Sequence, residues 1–245
     1  YNDRGNAYNS LGQHDRAIED FDQAIRLDPK DGVSYTNRGT AYANLGNFER
    51  AIQDHNEALK LNPELAIAYT NRGYAYKYLG QSEQAIDDFN EAIRLYPRQA
   101  LSYLNRGSVY RSLGQPDRAI EDYDEAIRLD PKLSQAFNNR GNAYVSLGQH
   151  ERAINDFDEA IRLNPEYANA YNSRASAFLG LGQFERVIHD TDEAIRLNPQ
   201  LHIAYFNRGY AYSSLGQYER AIEDLDEAVR VNPNYAVAYY LRGLI

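Results

Sequence analysis

The chain has 245 residues, of which 43% are hydrophobic and 25% charged, and its formal net charge is −9. This composition and a mean hydropathy of −0.70 predict a soluble chain with neither a membrane span nor a secretory leader. The acidic balance argues against a nucleic-acid partner, because such proteins normally cluster Lys and Arg on one face. The absence of cysteine excludes disulfides, thiolate metal ligands and thiol nucleophiles.

One block of sequence recurs every 34 residues along the whole chain, which is typical of a repeat protein. Its most regular marker is an arginine, followed by glycine in every copy but one. The arginines are Arg4, Arg38, Arg72, Arg106, Arg140, Arg174, Arg208 and Arg242. The period predicts a single array made of a partial unit 1–31, full units 32–65, 66–99, 100–133, 134–167, 168–201 and 202–235, and a partial unit 236–245. No linker and no second domain are expected.

Each unit, with positions numbered 1 to 34, contains two helical patterns. In unit 32–65, the residues from Tyr35 to Leu45 and those from Phe48 to Leu59 follow the spacing of one helix face, which predicts helix A and helix B. Gly46 ends the first helix and Pro63 ends the second. Pro116 falls in the first turn of another helix B, where its missing N–H removes no intrahelical bond. The unit is therefore predicted to be a helical hairpin.

The small and aromatic residues of this pattern resemble those of the tetratricopeptide repeat (TPR) family. The array is of an "NRG" type, named after the Asn-Arg-Gly that recurs at positions 6 to 8. In unit 100–133 the resemblance rests on Tyr103, Gly107, Tyr110, Ala119, Tyr123, Ala126 and Pro131. It implies an all-α fold, a right-handed α-solenoid superhelix of stacked antiparallel hairpins. It also implies a protein or peptide partner, without indicating which one.

Two positions depart from the usual TPR pattern, because Arg occupies position 7 and Asp occupies position 23 of the units. In an antiparallel hairpin that turns near position 15, these side chains should face each other. A buried charge persists only when it is paired, so we predict part-buried ion pairs that fix the hairpin register. The alternative is that the arginines reach a ligand. The pairs named are Arg38–Asp54, Arg72–Asp88, Arg106–Asp122 and Arg140–Asp156.

One unit carries Ala175 where the others have glycine, so we expect its two helices to pack slightly less tightly. Nothing in the sequence predicts catalysis. The five histidines fall in four different positions of the unit and form no metal-binding motif. The helix B carboxylates alternate with Arg or Lys, as on a solvated face. We therefore expect no enzyme, no metal and no cofactor.

By resemblance to TPR arrays, helix A positions 2, 5, 6, 9, 12 and 13 line a concave groove. Asn recurs at position 6, and its side-chain amide suits bidentate pairing with a peptide backbone. The column resembles the asparagine ladder in the TPR superhelix of O-linked N-acetylglucosamine transferase, although Asn is also common there as a scaffold residue. The basic residues of the family's chaperone-type carboxylate clamp are absent. The column comprises Asn37, Asn71, Asn105, Asn139 and Asn207.

Aromatic and basic side chains punctuate this expected groove. Tyr74 and Tyr210 at position 9, with Phe206 and Tyr240 at position 5, are predicted anchors for a ligand. Lys77 and Arg111 at position 12 of adjacent units form a small basic spot.

The leading hypothesis is a non-catalytic interaction scaffold that binds an extended peptide or protein segment in the groove. One alternative is a structural array that stacks end to end into homo-oligomers or filaments. Another is the TPR arm of a larger enzyme. Neither a nucleic acid nor a membrane is an expected partner.

Overall fold

The computed structural model describes all 245 residues, and every regular element in it is an α-helix. Odd-numbered helices are the predicted helices A, and even-numbered helices are the predicted helices B, so the all-α prediction is confirmed. The helices are α1 (Asn2–Ser10), α2 (His14–Leu27), α3 (Gly32–Asn44), α4 (Phe48–Leu61), α5 (Ala66–Tyr78), α6 (Ser82–Leu95), α7 (Ala100–Ser112), α8 (Pro116–Leu129), α9 (Ser134–Ser146), α10 (His150–Leu163), α11 (Ala168–Gly180), α12 (Phe184–Leu197), α13 (His202–Ser214), α14 (Tyr218–Val231) and α15 (Ala236–Leu244).

Contacts between helices divide the chain into two compact units, residues 1–114 and 115–245. The first holds the hairpins α1–α2, α3–α4 and α5–α6, followed by α7. The second holds α8, the hairpins α9–α10, α11–α12 and α13–α14, and α15. Within each unit a helix B packs on the next helix A, and successive helices A also touch one another. Each unit is therefore a stack of helical hairpins.

The turns inside the hairpins depend on glycine. Gly46 has φ +77°, a left-handed conformation that costs little without a Cβ. The N–H of Asn47 then donates to Tyr42 O at 2.9 Å, which closes the end of α3. Between hairpins, the backbone of Asn62 is extended, and its side-chain Oδ1 accepts a hydrogen bond from Glu64 N at 3.0 Å. Pro63 follows directly and restricts φ, so the helix cannot continue. The predicted helix ends are confirmed.

The core consists mainly of small residues that let helices approach closely, together with one helix B residue of each hairpin, at position 24, and buried helix A aromatic residues such as Tyr144 and Phe178. Fully buried alanines recur at positions 3, 10, 20 and 27, as in Ala68, Ala75, Ala85 and Ala92 of one hairpin. Position 24 is occupied by Phe21, His55, Phe89, Tyr123, Phe157, Thr191 and Leu225.

Glycine at position 8 makes room for the side chain at position 24. A Cβ added to Gly141 would lie 2.6 Å from Phe157 Cε1, which is too close for contact. In the 34-residue unit with Ala175, the residue at position 8 is larger and the residue at position 24, Thr191, is smaller. Ala175 is itself fully buried in a cluster with Phe178. The expected loosening at Ala175 is thus offset by a smaller residue on the facing helix.

Candidate binding face of the A helices

The position 7 arginines lie between helices, where they bind carboxylates. Arg38 binds Asp54 through two bonds, Nε to Oδ2 at 2.8 Å and Nη2 to Oδ1 at 2.7 Å. Its Nη1 also donates to Asp22 Oδ1 of the preceding hairpin at 2.5 Å. The two-bond contact recurs between Arg4 and Asp20, Arg72 and Asp88, Arg140 and Asp156, Arg174 and Asp190, and Arg208 and Asp224.

The two residues of one predicted pair, Arg106 and Asp122, fall in different compact units, residues 1–114 and residues 115–245. Arg106 lies in the first unit, where it donates to Asn90 Oδ1 at 2.6 Å. Asp122 is buried in the second unit, on α8. Their mutual pairing stays a prediction.

The acceptor at position 25 was not anticipated from the sequence. It binds the arginine of the following 34-residue unit, so Arg38, Arg72, Arg140, Arg174 and Arg208 each join two successive B helices. The acceptor is a carboxylate for Arg140, Arg174, Arg208 and Arg242, but an amide for Arg72, where Asn56 replaces Asp. The signal was present, since Asp or Asn recurs at position 25 of every unit.

Burial opposes the charge on the carboxylate in the pair of Arg140 and Asp156. It raises the pKa of Asp156, although the hydrogen bonds from Arg140 act to lower it. For Arg140 the hydrogen bond to Asp156 raises the pKa further. Since desolvation offsets much of the attraction, the pair contributes little net stability, whereas the loss of one partner leaves a buried charge.

Tyrosines at positions 4 and 11 surround the same guanidinium groups. Arg72 Cζ lies 5.5 Å from the ring centroid of Tyr69 and 5.9 Å from that of Tyr76. Both rings are only half-buried. These two tyrosines therefore cover the ion pair of Arg72, whereas Tyr144 and Tyr212 at position 11 of other hairpins are buried in the core.

The position 6 asparagines occupy two kinds of surroundings. Asn207 is buried, and its Nδ2 donates to Asn172 Oδ1 at 3.0 Å and Ser176 Oγ at 3.2 Å. Asn71 is half-buried and donates to Thr40 Oγ1 at 3.0 Å. The bonds of Asn207 and Asn71 both run to the preceding hairpin, so these amides also help to stack the hairpins. Asn37, Asn105 and Asn139 are half-buried.

Position 5 is buried in four of the hairpins, although the resemblance predicts that it lines the face. Thr36, Thr70, Leu104 and Asn138 are buried there. Successive hairpins cover this position, as when Thr70 Oγ1 lies 2.9 Å from Ser102 Oγ of the next helix A.

The two aromatic side chains predicted as anchors at position 5 lie in different surroundings. Phe206 is half-buried and packs against Tyr235, with ring centroids 5.4 Å apart. Its role as an anchor stays a prediction. Tyr240 is 71% exposed, in the last helix α15.

One stretch of the first unit combines aromatic and basic side chains. Lys77 Nζ lies 4.9 Å from the ring centroid of Tyr74 and 5.2 Å from that of Tyr78. It also donates to Asn105 Oδ1 at 3.2 Å. Tyr78 stacks on Phe48 at 4.9 Å and keeps 55% of its surface exposed. We call Tyr74, Lys77, Tyr78 and Asn105, together with Arg111, the Lys77 cluster.

Burial tunes the protonation of two members of this cluster. It lowers the pKa of Lys77, as does the positive charge of Arg111. Burial and a hydrogen bond with Tyr78 raise the pKa of Tyr74 to about 12, so its phenol stays neutral. By contrast, Tyr210 is 44% exposed in the second unit, where serines replace the basic residue and Tyr78. The cation and the tyrosines are thus combined only in the first unit.

The described chain contains no group of three His, Cys, Asp or Glu side chains that is arranged to hold a metal ion. None of its helices is both long and apolar enough to cross a membrane.

Family models for the tetratricopeptide repeat match along the chain. One matches residues 1–31, 33–65, 66–99 and 202–235, and others match 89–121, 107–148 and 141–182. The chain belongs to the tetratricopeptide repeat family. TPR proteins are typically non-catalytic scaffolds, and nothing in these matches points to an enzymatic activity. A search of curated proteins finds no match.

Solved TPR structures share the fold. A chain of the APC/C hetero-tetramer Cut9-Hcn1 has a TM-score of 0.88 and 19% identity, over 98% of this chain and 47% of that one. This chain therefore spans about half of that relative. A TPR protein from Parabacteroides merdae ATCC 43184 has a TM-score of 0.75 and 22% identity, over 99% and 96% of the two chains. YrrB, described as a TPR protein with an unusual peptide-binding site, has a TM-score of 0.54 and 22% identity, over 92% and 99%.

Proposed function

We propose that this TPR chain is a non-catalytic scaffold whose A-helix face binds an extended peptide or protein segment. The observation that carries the proposal is the chemistry of that face. Of the 35 Asp and Glu residues in the chain, none lies in a helix A from α3 onward. The face offers side-chain amides, hydroxyls and tyrosine rings instead, which suit a peptide backbone.

Asparagine occupies position 6 in five of the six full 34-residue units, the exception being Ser173, and this regular spacing is useful for an extended ligand. Helices that pack about 8–10 Å apart would present one amide for roughly every third residue of a strand rising about 3.3 Å per residue. The peptide-binding site described for YrrB shows that a protein of this fold binds peptides. Position 9 hydroxyls such as Thr40 hold the amide of the next asparagine in place.

The test is a selection from a library of random 12-residue peptides displayed on phage, with the full chain as bait. Enriched peptides are then synthesised, and their affinity for the chain is measured by fluorescence anisotropy. We expect the triple variant Asn37→Ala, Asn71→Ala, Asn105→Ala, which changes the first unit alone, to lose binding by at least tenfold. Asn155→Ala is the matched control, because Asn155 is exposed on a helix B.

Unchanged affinity of the triple variant, with its helical circular dichroism intact, contradicts an asparagine-based site. A selection that enriches no peptide contradicts peptide binding altogether. Light scattering after size-exclusion chromatography distinguishes the proposed scaffold from the alternative of an array that assembles end to end. A mass that stays near 28.0 kDa across a concentration series supports the scaffold, whereas a mass that grows with concentration supports assembly.

A further inference from the structure

The Lys77 cluster holds a positive charge that the chain itself does not neutralise. No carboxylate lies within salt-bridge distance of Lys77 Nζ, whose polar contact is the neutral Oδ1 of Asn105. The side chain is also partly withdrawn from water, between the rings of Tyr74 and Tyr78. A partly buried cation without a counter-ion costs free energy, which a ligand carboxylate would recover.

The other basic residues of the A helices are treated differently, because the position 7 arginines bind carboxylates, as Arg38 binds Asp54. On the B helices, bases near the C-terminal end bind the acid three residues earlier, as Arg94 binds Glu91. The arginines near the start of the B helices bind neutral side chains instead, as Arg152 binds Gln149 and Tyr144. Arg111, like Lys77, has no carboxylate partner, and it is exposed at the corresponding position of the next helix A. Two adjacent hairpins thus direct unpaired cations to the same acid-free face.

We propose that the Lys77 cluster is the specificity subsite of the peptide-binding face and takes the side-chain carboxylate of an Asp or Glu within an extended segment. This inference rests on the proposed function above. Lys77 and Arg111 would supply the charge-assisted hydrogen bonds, which are the stronger class of such bonds. The neutral phenol of Tyr74 is a further donor beside them.

The location of the subsite follows from what the other hairpins lack. Position 12 is Ala43 in the preceding hairpin, and Val145, Leu179 and Ser213 in the second unit. A carboxylate would find a cation at this position only on α5 and α7. The subsite therefore sets the register of a segment that the repeated asparagines alone would hold in several equivalent registers.

The experiment uses the phage library described above, in which neutral linkers flank each peptide, with the wild-type chain and the variant Lys77→Ala/Arg111→Ala as separate baits. We expect the wild-type selection to enrich peptides with Asp or Glu at one recurrent position. In the best amidated peptide, replacing that Glu by Gln should weaken binding to the wild-type chain about tenfold, as for one charge-assisted hydrogen bond. The double variant should bind the Glu and Gln peptides equally.

The matched control is Lys30→Ala/Lys132→Ala, which removes the same two charges from exposed loop positions. It should retain the full preference for Glu over Gln. Circular dichroism melting checks that both double variants fold.

Enriched peptides without a recurrent acid, or a preference for Glu that survives in Lys77→Ala/Arg111→Ala, overturn the subsite but leave peptide binding intact. A selection that enriches nothing overturns both proposals. The affinity of the wild-type chain is also measured for a peptide whose only anionic group is its C-terminal carboxylate. If it binds as tightly as the Glu peptide, the assignment to a side-chain carboxylate is wrong.

Discussion

The substitution Arg140→Ala should destabilise the second unit by leaving Asp156 buried without a partner. Asp156 is buried, with 9% of its side chain exposed, and it receives two hydrogen bonds, of 2.8 and 2.6 Å, from Arg140. Removal of one partner of a buried pair costs about 3–5 kcal/mol. Since Arg140 keeps 20% of its side chain exposed, we expect the lower end, about 3 kcal/mol.

The second contact of Arg140 adds little to this figure. Asp124 is 54% exposed, so its interaction with the guanidinium is worth about 1 kcal/mol at most. Equilibrium urea unfolding followed by circular dichroism measures the change. At a slope of about 1–3 kcal/mol per molar urea, a loss of about 3 kcal/mol lowers the midpoint by about 1 M or more.

Two further variants make the reasoning refutable. Arg162→Ala removes an arginine that pairs with Glu159 on the solvent side of α10, and it should leave the urea midpoint unchanged. Adding Asp156→Asn to Arg140→Ala should recover part of the loss, because the buried charge is gone. Equal midpoints for the Arg140→Ala and Arg162→Ala variants would refute a buried-pair account, as would a double variant no more stable than Arg140→Ala alone.

Three further predictions concern the core. Burial lowers the pKa of His55 to about 3, and neither ring nitrogen has a hydrogen-bond partner. The unfolded chain therefore binds the proton at a higher pH than the folded chain does, so the free energy of unfolding falls as the pH drops below about 6.5. At pH 4 the substitution His55→Phe should remove about 3 kcal/mol of that loss. Urea midpoints measured at pH 7 and at pH 4 check this prediction. Gly141→Ala should lower the melting temperature, because its Cβ would meet Phe157 at 2.6 Å, and an unchanged melting temperature contradicts this packing. Thr191→Phe should destabilise by about 1–3 kcal/mol and should be rescued by Ala175→Gly; a double variant no more stable than the single one argues against the size exchange.

The hairpin fold was predictable because each local signal agrees with the others. The period, the glycine at the turn and the proline after helix B all act within one unit, and they place the ends of α3 and α4 where the structure has them. Contacts between units were less accessible. The burial of Thr70 against Ser102 depends on how one hairpin stacks on the next, which the pattern of a single unit does not specify.

Differences among the 34-residue units indicate packing details that the general TPR pattern does not contain. Thr191 is the smallest residue at position 24, and it faces the single alanine at position 8, so the exchange of sizes is visible in the sequence. The Lys77 cluster was predicted only in part. The adjacent cations were visible, but the enclosure of Lys77 by two tyrosines requires the helix geometry.

The arginine bridges also determine which changes in length the array tolerates. Arg38 reaches acceptors 16 residues before it and 16 residues after it, and the same interval recurs at Arg140 and Arg208. Duplication or deletion of one whole 34-residue unit regenerates an equivalent set of bridges at the junction, with Asp or Asn as the acceptor at position 25. An insertion or deletion inside a helix rotates the arginine or its acceptor away from the bridge. The bridges are therefore compatible with a change in the number of repeats, but not with a change in the register of one helix.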